Sequence, residues 1–403
     1  MRILIVYRYF APDTPPYASM LGEMTRWFAE AGHEVEVITA QPMYKPNAGI
    51  PKQPWRETRV DGRLKIRRLW LLPEKGMGPA KVLNALLFIT QAFLAVLFGA
   101  RRDLVWTGSQ PPVVQAWALS RAARMRGAKV LYHMQDIHPE IANIENGEMR
   151  TGLAHRVLKW LDSGALGRTD EAVVISPDMA DVLRERGARP GKIRMLRNFA
   201  LGDEDAATLL AEKTLPAEGQ PLTFVFAGNI GRFQNLEALV AAFGRLDPAE
   251  AQLLMVGEGR AKAGLIRQVA EGGIHNVTFR DHMPEAEVFA LLCQCHVGLV
   301  TLSPGLYRYA FPSKIWTYLA ADLPMLVMAE EESNLTAFTR ENGVGAALPW
   351  DAGTDRLTGV IAELAADVRA GRIRPAAKSD LYHRAAARQR WLDLLAEIGE
   401  TGA

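Results

Sequence analysis

Cysteine is scarce, with two in 403 residues, and no charged-then-apolar leader precedes the first strand-like run, Arg2-Ile-Leu-Ile-Val6. A disulfide-stapled secreted scaffold needs far more cysteine, so the reducing cytosol is the expected compartment. The chain also lacks a Gly-x-x-x-x-Gly-Lys-Ser/Thr loop, a Gly-x-Ser-x-Gly elbow, and a Gly-x-Gly-x-x-Gly in its first turn. These absences argue against a P-loop nucleotidase, a serine hydrolase and a nicotinamide dehydrogenase. Cys293-Gln-Cys-His296 has no second ligand pair nearby, and the acidic run at 203–205 falls in a connecting segment, so no metal site is expected. There is no short tandem repeat and no low-complexity tract. With 49% apolar and 23% charged residues, disorder and a polytopic membrane protein are disfavoured.

Charge is unevenly placed. Residues 1–200 carry 29 Lys+Arg against 19 Asp+Glu, net +10, and residues 201–403 carry 18 against 26, net −8. Basic residues are densest between Lys52 and Lys81, nine against three acidic ones. Such a stretch is either a solvated surface or an attractor of phosphate-rich or membrane-surface partners. No nucleic-acid partner is expected.

Strand-like runs alternate with helical patterns along the whole chain. Residues 2–6 and 35–39 flank a helical pattern from Met20 to Glu30, and further runs follow at 103–106, 129–133 and 171–175. The order predicts an α/β fold with a parallel sheet covered on both faces. Residues 201–221 turn polar and acidic, with Gly202, Pro216, Gly219 and Pro221, and read as a linker. A second series then starts, with strands at 222–227, 252–256, 277–279, 297–300 and 324–328. Two doubly wound, Rossmann-like domains follow, 1–200 and 222–379, facing each other across a cleft, with ligands outside the carboxyl ends of the strands. The closing helix, 380–403, contains Trp391 and a run of leucines.

Residues 82–100 carry no charge over 19 positions, bounded by Lys81 and Arg101. That length reaches the spanning threshold, but a crossing there would divide one sheet between two sides of a bilayer. Asn84 and Gln91 lie seven apart on one helical face, leaving broad apolar flanks. The helix is therefore either buried against the sheet or lies in the interface of an anionic leaflet.

Three loops after strands of the second domain suit a diphosphate. Gly228-Asn229-Ile-Gly231-Arg232 and Gly257-Glu258-Gly259 each join a strand to a helical pattern, and Pro304 to Lys314 brings Arg308 and Lys314 towards another helix start. Glycine lets backbone N–H groups approach phosphate, and fixed cations favour the same charge without a metal. In the first domain the run into Gln135-Asp136-Ile-His138-Pro-Glu140 gathers groups that act as a base or orient hydroxyls. Asp136 and His138 are the better candidates, and His133 reads as a strand side chain with a core partner. The first loop, Tyr7 to Ser19, is long for a turn of this kind and points to ligand contacts.

Taken in order and spacing, these fragments resemble the retaining glycosyltransferases of family 4 with the GT-B fold, above all the bacterial branch building capsule, exopolysaccharide or O-antigen. The likeness spans nearly the whole chain. It rests on Arg2 to Pro12, Gly32 to Thr39, Gln135 to Glu140, Val174-Ile-Ser-Pro-Asp-Met179, Arg197-Asn198, Phe226 to Gly231, Val256 to Gly259, and Phe311-Pro-Ser-Lys with Tyr318 to Ala321. The resemblance implies a UDP- or GDP-linked sugar as co-substrate, with no other cofactor, bound by the second domain. It implies a lipid-diphosphate-linked saccharide acceptor bound by the first, at the cytoplasmic face of the inner membrane through 82–100 and the nearby basic residues. Carried over residue by residue, Gly228, Asn229, Gly231 and Arg232 lie under the diphosphate, Gly257 and Glu258 near the nucleotide, and Arg280, Asp281, His282 and Met283 at the base. Arg308, Tyr309, Pro312, Ser313, Lys314 and Thr317 wrap the sugar and diphosphate; Phe10, Pro16, Tyr17, Ser19 and Glu140 line the acceptor side. Lys314 is expected to be catalytic through its charge, with Asp136 and His138 orienting the acceptor. The resemblance also implies front-face transfer with retention, and the closing helix returning to the first domain.

The chain departs from the family at several positions. Gln135 replaces the His of the family's His-Asp pair, Tyr309 and Thr317 replace a pair of Glu, and Asn229 and Gln234 replace the glycine-loop cations, for which Arg232 and Lys314 substitute. A nucleotide-sugar epimerase of the same architecture, or a non-catalytic nucleotide-sugar-binding protein, are the competing readings.

Overall fold

The first apolar run becomes the strand β1 (Arg2–Val6), whose residues after Arg2 are all buried. It continues into β2 (Glu34–Ala40), β3 (Arg56–Arg59), β4 (Leu64–Leu69), β5 (Leu104–Gly108) and β6 (Lys129–His133). Two short strands, β7 (Ile144–Glu145) and β8 (Glu148–Met149), stand outside the large sheets. β9 (Glu171–Val174) and β10 (Ile193–Met195) complete a sheet of order β10-β9-β6-β5-β1-β2-β4-β3. Every pairing in it is parallel except the edge pair β3–β4. Burial on both faces explains why its central strands are continuous apolar runs rather than alternating ones. The computed structural model describes residues 1–13, 15–43, 50–73, 79–145, 148–149, 151–201, 206–217, 219–231, 234–373, 375 and 383–400. Arg232, the acidic run at 203–205, and residues 380–382 and 401–403 of the closing segment lie outside them.

The second sheet comprises β11 (Leu222–Ala227), β12 (Ala251–Val256), β13 (Val277–Arg280), β14 (Val297–Thr301), β15 (Met325–Met328) and β16 (Gly345–Leu348). Its order is β13-β12-β11-β14-β15-β16 and all its pairings are parallel. Phe224, Phe226, Leu239, Phe243, Leu253, Met255 and Ile361 belong to one core packed against it. The chain divides into two compact units: Met1–Glu145, Met149–Arg197 and Ala387–Ala403 form the first, and Asn146–Glu148 with Asn198–Ala386 the second. Within the first unit, Trp391 of the helix Arg384–Glu400 stacks on Trp106, ring centroids 4.8 Å apart, and meets His133 edge-on.

Part of the basic stretch folds inward. In β4, Leu64 and Ile66 face the core while Lys65 and Arg67 face solvent. Arg68 is buried, paired with Glu57 at 3.2 Å and donating to the carbonyls of Pro54 and Ala11. A buried cation needs such partners, so this one is spent on holding the sheet edge.

The uncharged helix runs Pro79–Phe98, and its two faces have different surroundings. Phe88, Ala92 and Val96 pack against Leu4, Val6, Val105 and Leu119. Asn84 is fully buried and holds Leu72 from both sides, accepting from its N–H (2.9 Å) and donating to its carbonyl (2.8 Å). Gln91 donates to the carbonyl of Trp70. The polar stripe read in the sequence is thus a clamp on the chain leaving β4. On the other face Val82, Leu83, Leu86, Leu94 and Phe98 are exposed, as is Trp70.

Candidate functional site

In the second unit, β11 and β12 run out into glycine turns that are joined to each other. Gly228 donates to the carbonyl of Val256, Ile230 to that of Glu258, and Ala261 to that of Ile230, at 2.9, 2.9 and 3.1 Å. A Cβ on Gly257 would lie 1.9 Å from the Gly228 carbonyl oxygen, and one on Gly259 2.1 Å from that of Ile230. Gly257 and Gly259 therefore serve backbone packing, which leaves Gly228 and Asn229 as the open face of the pair. Gly228 and Gly257 both hold φ of 137°, a region L side chains rarely adopt. The Gly231 N–H donates to Gln234 Oε1 at 3.0 Å.

Lys314 opens the helix Lys314–Ala320, and its Nζ lies 3.7 Å from the centroid of the Phe226 ring. It also lies 3.8 Å from where a Cβ on Gly228 would be. Among the described residues the buried Nζ has no hydrogen-bond partner. Burial pushes its pKa from 10.5 down to about 7. Holding an ammonium against an aromatic face gives cation–π attraction, yet without an anion the charge stays poorly compensated.

Several contacts fix that helix. Tyr318 Oη accepts from the Ala227 N–H at 2.8 Å, tying the helix to the end of β11. Gly298 leaves the space the Tyr318 ring fills, since a Cβ there would lie 2.5 Å from it. Trp316 stacks on Phe311 and meets Phe338 edge-on, and Lys213 donates to the carbonyls of Ala321 and Asp322 at the far end.

The remaining residues proposed from the sequence for the donor side fall around this point. Lys262 bridges Glu258 (2.8 Å) and Asp281 (2.6 Å), and the Arg280 carbonyl accepts from the Gly257 N–H. Arg280, Asp281 and His282 are exposed, and Met283 is half-buried. Arg308 lies over the Tyr309 ring, and Tyr309, Pro312, Ser313 and Thr317 are half-buried. Glu330, absent from the sequence reading, accepts from the Gly305 N–H at 2.7 Å.

In the first unit, the helix after β1 begins at Pro16, so the first connection is Tyr7–Pro15 and not the thirteen-residue loop read from sequence. Proline suits the first helical position, where its missing N–H costs nothing. Pro16, Tyr17 and Ser19 are therefore in the first helical turn. Tyr17 and Phe10 are buried, Ser19 is half-buried, and Pro16 is exposed. The Tyr17 hydroxyl lies 2.7 Å from His133 Nδ1, and Gln135 Nε2 lies 2.9 Å from His133 Nε2. His133 is thus a core side chain, as its place in the strand implied, and burial lowers its pKa to about 3.

Asp136 and His138 follow in the same loop. Burial raises Asp136 to about 6. It lowers His138 to about 4, with Glu140 and Arg186 as smaller opposing influences. The buried His138 Nε2 has no partner among the described residues. Glu140 does not project from this loop: its buried carboxylate pairs with Arg186, which also pairs with Asp162 and donates to the His138 carbonyl at 3.1 Å. Tyr132 donates to Asp162 at 2.9 Å. Arg186 therefore anchors the loop that carries Asp136 and His138. Its partners are 24, 46 and 48 residues away, so no local sequence pattern could announce it.

The description "Glycosyl transferase 4-like domain" matches residues 17–198, and "Glycosyl transferases group 1" matches residues 221–367. Among curated proteins, the chain is 26% identical over 348 residues to the protein of Escherichia coli (strain K12) named as the colanic acid biosynthesis glycosyl transferase WcaI, covering 83% of this chain and 85% of that one. Among solved structures, sucrose-phosphate synthase from Thermosynechococcus elongatus superposes with a TM-score of 0.68 at 18% identity, covering 100% of this chain and 97% of that one. Anabaena Alr3699/HepE in complex with UDP gives 0.65 at 12% identity, covering 98% of this chain and 100% of that one. The structural likenesses carry the fold, and the two matched domains, together more than half of the chain, carry the family. The chain belongs to the family 4-like glycosyltransferases of GT-B architecture.

Proposed function

We propose that this glycosyltransferase moves a sugar from a UDP- or GDP-linked donor to a lipid-diphosphate-linked saccharide in surface-polysaccharide assembly, with retention and without a metal. The observation that carries the donor half is Lys314: a buried amine beside the open Gly228 turn, with no hydrogen-bond partner among the described residues. Perturbed, desolvated groups of this kind collect where a ligand supplies the missing charge. Cleaving a sugar–phosphate bond builds negative charge on the departing diphosphate, and a preoriented cation stabilises that charge more than it stabilises the ground state. The solved structures of HepE with UDP and with UDP-glucose, and the colanic acid assignment of WcaI, support the same reading.

In this account Asp136 and His138 orient the acceptor hydroxyl, and a donor phosphate oxygen takes its proton on the face the leaving group vacates. The lipid half rests on the helix Pro79–Phe98. The segment Ala80–Phe98 is long and apolar enough to cross a membrane, but its sheet-facing side is committed to the core. Docking of the opposite face at the cytoplasmic surface of the inner membrane, with Lys81 and Arg101 flanking it, fits that arrangement.

Nucleotide release from a panel of UDP- and GDP-sugars, with and without bacterial lipid extract, tests the proposal. Lipid-dependent release from one donor is expected. Failure to bind any donor removes the proposal, and flotation with anionic liposomes tests docking separately.

A further inference from the structure

We infer that Glu330 is the carboxylate that recognises hydroxyls of the donor's sugar and so sets donor specificity, an assignment that rests on the donor reading above. Residues 288–321, spanning β14, the loop after it and the helix that starts at Lys314, contain no Asp or Glu. A sugar held there presents several hydroxyl donors, and an ionised carboxylate is their strongest side-chain acceptor. Glu330 enters the loop from outside. It follows β15, and its Oε2 accepts from the Gly305 N–H at 2.7 Å, leaving Oε1 without a hydrogen bond among the described residues.

Its backbone is held firmly. The Glu330 carbonyl accepts from Ser333 Oγ at 2.7 Å and Thr336 Oγ1 at 2.9 Å, so the carboxylate projects from a preorganised turn. The neighbouring acids are differently engaged or placed: Glu331 pairs with Arg340, and Glu332 is exposed. Glu330 itself is half-buried, and burial raises its pKa.

Sheet order gives the direction. The glycine turns follow β11 and β12, Arg280 ends β13, and Lys314 stands over Phe226 of β11. Glu330 follows β15, on the opposite side of β14 from all of them. With the diphosphate at β11 and the nucleoside towards β12 and β13, the sugar is the part of the donor that extends towards β15.

Calorimetric binding of UDP, GDP and their hexose conjugates to the full chain separates the roles. Glu330→Ala is expected to weaken the nucleotide-sugar ~10- to 100-fold while the free nucleotide keeps its affinity, and to narrow discrimination between epimeric sugars. Glu330→Gln retains an acceptor for Gly305 but loses the charge, and is expected to weaken the nucleotide-sugar in the same direction. Equal loss for nucleotide and nucleotide-sugar makes Glu330 a loop brace and overturns the assignment, as does unaltered binding in Glu330→Gln. A wild-type chain that binds neither nucleotide overturns the donor reading itself.

Discussion

Replacing Lys314 with methionine separates function from stability, because the structure gives the two effects opposite signs. The lysine keeps a pKa of about 7 against an ordinary 10.5. At 1.36 kcal/mol per pKa unit, holding its charge in this buried position costs about 5 kcal/mol. The cost is present in full below pH 7 and fades as pH rises towards 10.5, where lysine in the unfolded chain also loses its proton. Methionine keeps much of the aliphatic volume over Phe226 and carries no charge to desolvate. Lys314→Met should therefore melt at the same temperature as wild type or higher, with the larger gain at pH 6 than at pH 9. Transfer should suffer, since removing one charge-stabilising donor from a transition state typically costs about 3–4 kcal/mol, or ~10²–10³ in turnover. Nucleotide release under saturating donor, read beside thermal melts at both pH values, measures the two together. Turnover within a few-fold of wild type, or a lower melting temperature at pH 6, would refute the reasoning.

Other consequences follow from the same groups. Because burial leaves Lys314 largely neutral above about pH 7 before a nucleotide binds, binding of UDP or GDP should draw in a proton. Titration calorimetry in two buffers of different ionisation enthalpy should show that uptake at pH 8, and Lys314→Met should abolish it. Asp136, raised to about 6, should give the pH–rate profile an acid limb near that value. Asp136→Asn should lower the rate and remove the limb; an unchanged limb would assign it elsewhere. Arg186→Met leaves Glu140 and Asp162 buried without their cation, and urea denaturation should show a loss of about 3–5 kcal/mol. Combining it with Glu140→Gln and Asp162→Asn should restore part of that loss.

The strand runs and the glycine turns were legible because local patterns carry them: buried parallel strands read as unbroken apolar runs, and Gly228 and Gly257 need backbone angles that few other residues tolerate. His133 was legible for the same reason, as a polar residue at a buried strand position. Residues whose role comes from distant pairing were not. Arg186, Tyr318, Lys213 and Glu330 act through partners 24 to 109 residues away or through backbone groups with no sequence signature. Glu140 looked available because nothing near it in sequence reveals Arg186. Tyr17 looked like part of a loop because the prolines before it mask a helix start. The helix Pro79–Phe98 left two readings open because composition cannot divide a helix into faces, whereas the Asn84 clamp on Leu72 does.

The most direct test of the central claim is a crystal structure of the chain soaked with UDP or GDP. Diphosphate oxygens are expected within hydrogen-bond distance of Lys314 Nζ, beside the Gly228 turn. A nucleotide seated in the first unit, or one whose phosphates leave Lys314 unpartnered, would contradict it.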